Sequence, residues 1–77
     1  MPRSIEALGK AGNPKAVLPL SEQLGDEDPA VRLLVVRALG QLGGKRAELA
    51  LETMQNDSTA AVRAATRIAL ADLGELD

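Results

Sequence analysis

The sequence predicts an all-α fold, a short right-handed α-solenoid of about five helices, or two and a half helix pairs. Three observations carry this expectation. Sliding the 77-residue chain against itself by 31 positions pairs 46 residues, of which 15 are identical, where composition alone gives about four. Helix-starting residues recur at two fixed places in that period, so each repeat reads as two helices. Alanine and leucine supply 13 residues each while Phe, Tyr and Trp are absent, so the core must be aliphatic and its helices can pack closely through small side chains. The chain is expected to form a single domain, 1–77, divided into a partial repeat 1–12, full repeats 13–43 and 44–74, and a tail 75–77. Ala7, Ala38 and Ala69, Leu8, Leu39 and Leu70, and Gly12, Gly43 and Gly74 recur in all three copies.

Helices are expected over 2–11, 14–24, 29–42, 45–55 and 59–73. The first begins in mid-repeat. In GNPKAVLPLSEQL, Asn13 offers an N-cap oxygen, and Pro14 occupies the first helical position, where its missing N–H costs nothing. Pro19 removes a backbone bond from the same helix and predicts a kink or a late start. The third helix starts at Asp28 and Pro29 and stops at Gly43, where glycine takes a left-handed conformation cheaply. Gly44 replaces the Asn13 cap for the fourth helix, while Thr59 and Gly74 replace Asp28 and Gly43 for the fifth. Helical phase places Val31, Val35, Ala38 and Leu42 on the core face of the third helix, with Leu34 and Leu39 on its flanks. Val62, Thr66, Ala69 and Leu73 repeat that face in the fifth, and Ala16, Val17, Leu20 and Leu24 form the stripe of the second.

Composition narrows the available chemistry. The chain has no cysteine and no histidine, which removes disulfides, thiolate catalysis, the commonest metal ligand and the usual neutral-pH proton shuttle. Net charge is −2 and the pI about 5.0, so no global field draws in nucleic acid, and aromatic platforms for bases are lacking. No apolar run approaches membrane-spanning length, and the start MPRSIEALG has no signal-peptide core. The expectation is a cytoplasmic protein that binds neither nucleic acid nor membrane.

Residues 13–43, NPKAVLPLSEQLGDEDPAVRLLVVRALGQLG, resemble one complete HEAT-like repeat of the phycobilisome-lyase type. They contain its AVxPL core in Ala16, Val17, Pro19 and Leu20, its acidic turn in Asp26 to Asp28, its VR pair in Val31 and Arg32, and its ALGxLG ending. The next copy keeps Asp57, Val62, Arg63, Ala69, Leu70, Leu73 and Gly74. It departs at Glu48, Ala50 and Ala71, where the pattern has valine, proline and glycine. Arg67 stands where the family has a small residue and reads as a polar replacement at a stacking face. The resemblance implies an α-solenoid but not bilin-lyase activity, since such repeats serve many proteins. It also implies that Asp26 with Arg32, and Asp57 with Arg63, form a hydrogen-bonded ladder joining successive turns, a structural duty suited to the fork of the guanidinium.

Other candidate sites have structural explanations. Asp26, Glu27 and Asp28 lack the ligand register and glycine of a calcium loop, and a helix N-terminus favours negative charge anyway. The pieces GKAG and GQLG end helices instead of opening them, which points the phosphate-binding dipole the wrong way. Glu48 and Glu52, one helical turn apart, read as a solvated face. No catalytic, cofactor-binding or metal-binding residue is expected.

One apolar anomaly points to function. The positions facing away from the core are Leu33, Arg37 and Gln41, then Ala64, Ile68 and Asp72, where Leu33 and Ile68 would be polar if the face met only water. In resembling solenoids this face lines a groove for partners, and apolar centres with charged rims suit an interface. The expected function is a non-catalytic protein–protein interaction module that binds a protein partner or a second copy of itself through this groove. Incompletely covered stacking faces around Ile5, Leu8 and Leu70 are a second expected route to homo-oligomers. The alternative is an accessory subunit or fragment of a bilin lyase-like or other HEAT-repeat enzyme, with another chain supplying the chemistry.

Overall fold

The computed structural model describes residues 12–74 together with Ile5 and Lys10. Among these residues all regular structure is helical. A 3-10 turn, Pro14–Ala16, leads into α1, Val17–Glu22, which ends in a second 3-10 turn, Gln23–Gly25. The remaining helices are α2, Pro29–Leu42, α3, Lys45–Glu52, and α4, Ala60–Gly74. Four α-helices are thus described where the sequence predicts five. The expected first helix, 2–11, lies outside the described residues apart from Ile5 and Lys10, both helical.

Local chemistry sets these boundaries. Asn13 Oδ1 accepts from the Lys15 amide at 2.9 Å, and Asp28 Oδ1 accepts from the Ala30 amide at 2.9 Å. Each acidic or amide cap satisfies one of the orphan donors at a helix start. The segment 14–25 is not one uniform helix, because Pro19 has no N–H to bond back to Lys15. The α-helix accordingly begins late, at Val17, and the missing donor falls within its first turn. Gly43 takes φ 69°, as does Gly12 at the equivalent place one repeat earlier, and Gly44 follows with φ 89°. This pair of left-handed residues turns the chain from α2 into α3. The fourth predicted helix stops three residues early. Thr53 Oγ1 donates to the Ala50 carbonyl at 2.6 Å, and the next backbone bonds span three residues instead of four, tightening the end into turns.

The helices form two layers. α1 and α3 are neighbours in one, α2 and α4 in the other, and α2 also packs against α1 and α3. Leu20, Val35, Val36, Leu39, Leu51 and Val62 are fully buried, with Ala16, Val17, Ala38, Ala47, Met54 and Ala69 around them. Thr66 is the one buried polar side chain among the described residues, and its hydroxyl donates to the Val62 carbonyl at 2.7 Å. A hydroxyl satisfied within its own helix adds no desolvation cost.

The assignments from helical phase on α2 need correction. Val36 is completely buried and Leu34 is exposed, and Val31 and Leu42 are only half-buried. The phase argument treats a helix as having one covered side. α2 is central and covered on more than one, so its buried arc is wider and rotated from the predicted sector. Of the residues expected at open stacking faces, Ile5 and Leu70 are half-buried against the core, and Leu8 lies outside the described residues.

The approach of α2 to α4 depends on one glycine. A Cβ added at Gly40 would lie 2.9 Å from Ala69 Cβ, too close for any pair of carbon atoms. Gly25, by contrast, has nothing within 4 Å of its would-be Cβ. We therefore expect Gly40→Ala to destabilise the fold by about 1 to 3 kcal/mol through forced separation of the helices. Gly25→Ala should be neutral or slightly stabilising through the unfolded chain. Urea denaturation midpoints of the two variants check the contrast.

Candidate functional site

Two features outside the hydrophobic core gather the residues singled out from the sequence. The first is a rung of charge and hydrogen bonds between the turns that precede α2 and α4. Arg32, in the first turn of α2, uses all five of its N–H groups. Nη1 donates to the carbonyls of Asp26 at 2.7 Å and Glu27 at 3.1 Å. Nε and Nη2 form a fork on the Asp57 carboxylate at 2.9 and 3.2 Å, and Nη2 also reaches Thr59 Oγ1 at 3.1 Å. The guanidinium therefore ties its own turn to the corresponding turn one repeat later.

Asp57 is the receiving centre. Its Oδ2 also accepts from the Thr59 amide at 2.9 Å, and its carbonyl accepts from Arg63 Nη1 at 2.7 Å. The side chains of Arg32 and Asp57 are only 12% and 9% exposed. Burial alone would push the Asp57 carboxyl up. The Thr59 amide, the Arg32 hydrogen bonds and the positive charges of Arg32 and Arg63 together outweigh it and hold the pKa below the ordinary carboxylate value. Asp26 plays a lesser part, with Oδ1 accepting from the Asp28 amide at 2.8 Å and its carbonyl taking Arg32. The carboxylate fork thus runs between repeats, from Arg32 to Asp57, while Arg32 to Asp26 and Arg63 to Asp57 are contacts to backbone oxygen.

The second feature is a groove between α2 and α4 with a cavity volume of about 500 Å³. Its floor is made of Gly40, Ala65 and Ala69, and Arg37, Gln41, Ile68 and Asp72 surround it. Small residues lower the floor, while Ile68 stands up from α4 with 64% of its surface exposed. Of the six residues expected to contact a partner, Arg37, Gln41, Ile68 and Asp72 come together here. Leu33 and Ala64 do not. Leu33 is half-buried and packs against the core, because it lies two helical turns from Gly40 on the side of α2 that turns towards other helices. Ala64 is half-buried, and its neighbour Ala65 lines the groove instead. The sequence reading missed Gly40, Ala65 and Ala69 as groove residues. The recurrence of small residues at helix-contact positions was the available signal.

Chemically, the groove offers an apolar floor between one cation and one anion. Neither Arg37 nor Asp72 belongs to an ion pair among the described residues. No cluster of three or more acidic, histidine or cysteine side chains converges as metal ligands would among those residues. No helix among them is long and apolar enough to cross a membrane.

Two repeats joined by a buried arginine rung, each a helical hairpin, define a helical-repeat protein. The family model for HEAT repeats matches residues 3–71, and the chain belongs to that family. No curated protein matches it significantly.

Arg32→Ala should cost about 1 to 3 kcal/mol, since it strips charge-assisted bonds from a nearly buried carboxylate and two turn carbonyls. Arg32→Lys should recover only part of this, because an ammonium cannot make the fork. Arg63→Ala, losing one bond to a carbonyl, should cost less than Arg32→Ala. Chemical denaturation ranks the three.

The lowered pKa of Asp57 sets a pH dependence. The unfolded carboxyl takes up its proton at a higher pH than the folded one, so its contribution is complete above the ordinary carboxylate value of about 4 and is lost as pH falls through the lowered folded value. Asp57→Asn should therefore be less stable than the parent at pH 7, and the two should converge in stability as the pH falls through the lowered folded value. Thermal melts of both proteins across this range check the sign.

Proposed function

We propose that the protein is a non-catalytic interaction module, a short α-solenoid of HEAT-like repeats of the phycobilisome-lyase type that holds a protein partner, or a second copy of itself, in the α2–α4 groove. The observation that carries this reading is Ile68. A large aliphatic side chain with most of its surface in water stands over a floor of glycine and alanine, flanked by Arg37 and Asp72. Burying it against a partner would remove apolar surface from water at about 25 cal/mol per Å². The flanking charges would fix the register of whatever polypeptide lies there. HEAT repeats commonly mediate protein–protein contacts, and the absence of histidine and cysteine from the sequence favours binding over chemistry. The iron-dependent hydroxylases built on HEAT-like repeats rely on histidine ligands that this chain does not have.

Replacement of Ile68 by glutamate should leave the helical circular dichroism and the melting transition close to those of the parent, because the side chain is not part of the core. Self-association, measured by light scattering, or affinity for a partner should fall more than about tenfold, which corresponds to roughly 1.4 kcal/mol. Unchanged association would place the interface elsewhere. Leu33→Glu is not an equivalent probe, since Leu33 packs against the core and its loss of binding would be mixed with loss of stability.

A further inference from the structure

A second groove lies in the other helix layer, between α1 with the turn leading into it and helix α3. Its cavity volume is about 500 Å³, and it shares no residue with the α2–α4 groove. Leu18 and Leu49 line it with 66% and 52% of their surfaces exposed, beside Lys15 and Arg46. Ser21 also lines it, but its hydroxyl donates to the Val17 carbonyl at 2.7 Å and is already satisfied.

The two leucines are one repeat apart, and so are the two cations. Other identical pairs in the repeat have visible structural duties: Ala16 and Ala47 are buried, as are Leu20 and Leu51, and Arg32 and Arg63 bind turn oxygens. Leu18 and Leu49 recur without being covered by anything among the described residues. The groove therefore carries two side-by-side copies of one motif, an exposed leucine one helical turn after a cation.

Its charge is of a single sign. Lys15 and Arg46 are its only ionisable lining residues among the described residues, in a chain whose net charge is −2. Glu22 and Glu52 are exposed at the far ends of α1 and α3, outside the lining. A bound segment thus meets cations at one end of the groove, leucines in the middle and carboxylates beyond.

We propose that this groove docks an acidic, leucine-bearing segment of another protein, its apolar side chains set between Leu18 and Leu49 and its carboxylates over Lys15 and Arg46. Two leucines supply the apolar burial, and the paired cations select the sign and orientation of the segment. A second copy of this chain presenting the same groove would meet like charge, which disfavours a symmetric contact of groove against groove. This site goes beyond the α2–α4 reading and stands or falls separately from it.

The test titrates the isotope-labelled protein with a short fluorescent peptide that alternates pairs of glutamates with pairs of leucines. The proposal expects saturable binding weakened by salt, with amide shifts centred on Leu18, Ser21 and Leu49. Lys15→Glu with Arg46→Glu should reduce affinity about tenfold or more. Leu18→Ser with Leu49→Ser should do likewise with an unchanged melting transition, since all four side chains are exposed. Equal binding by the peptide with lysines in place of glutamates would overturn the proposal, as would shifts confined to Gln41, Ala65 and Ile68. Binding of the protein to phosphatidylserine vesicles without binding of the peptide would overturn it in favour of a lipid surface.

Discussion

The arrangement of the two repeats depends on the guanidinium of Arg32. Its five donors are divided between two carbonyls of its own turn and the side chains of the equivalent turn one repeat later. A turn is the weakest place in a helical repeat, because its backbone carbonyls have lost their helical partners. One buried fork supplies those partners and fixes the distance between repeats at the same time. The Asp57 carboxylate can be nearly buried because it receives bonds at both oxygens. Removing either member would leave the other charge uncompensated, so the pair is stabilising as a unit and costly when broken.

Fixing the turns also fixes how the long helices meet. α2 and α4 start at opposite ends of the rung and converge where Gly40 faces Ala69. That contact explains why the α2–α4 groove has a low, apolar floor: the residues that allow close approach are too small to fill the space beside them. Ile68 projects beside this floor because it lies one residue before Ala69, about 100° around the helix, next to the contact instead of within it. The binding surface is thus a geometric by-product of the packing solution.

The period, the caps and most of the core were legible in the sequence, and for one reason. They depend on local backbone requirements and on the helical phase of single helices, which a 31-residue repeat states more than once. Asn13 and Asp28 cap as their positions imply, and Thr66 is buried as its equivalence with Val35 requires. What was not legible depends on how helices neighbour one another. Leu33 and Val36 differ by three positions on α2, and phase alone cannot say that both turn towards a covered side. The carboxylate fork from Arg32 to Asp57 is similarly hidden, since the sequence pairs each arginine with the aspartate six residues before it, while the structure sends the fork to the one twenty-five residues after it. Leu18 and Leu49 were visible as a repeated pair. The stripe Ala16, Val17, Leu20 and Leu24 already leaves Leu18 off the core face, and its exposure, with that of Leu49 one repeat later, follows from that phase.

The two inner helices are not interchangeable, and the difference gives the array a direction. Gly40, which lets α4 approach α2, corresponds to Ala71 on α4, and the buried Val36 corresponds to the exposed Arg67. A methyl group in place of hydrogen prevents the close contact made at Gly40, and burying Arg67 would strand a charge away from water. A helix pair could not therefore seat on α4 in the manner in which α4 seats on α2. The face of α4 that corresponds to the stacking face of α2 is suited to polar, hydrated contact. Among the described residues, three of the four exposed large aliphatic side chains, Leu18, Leu49 and Ile68, lie in the two grooves between equivalent helices.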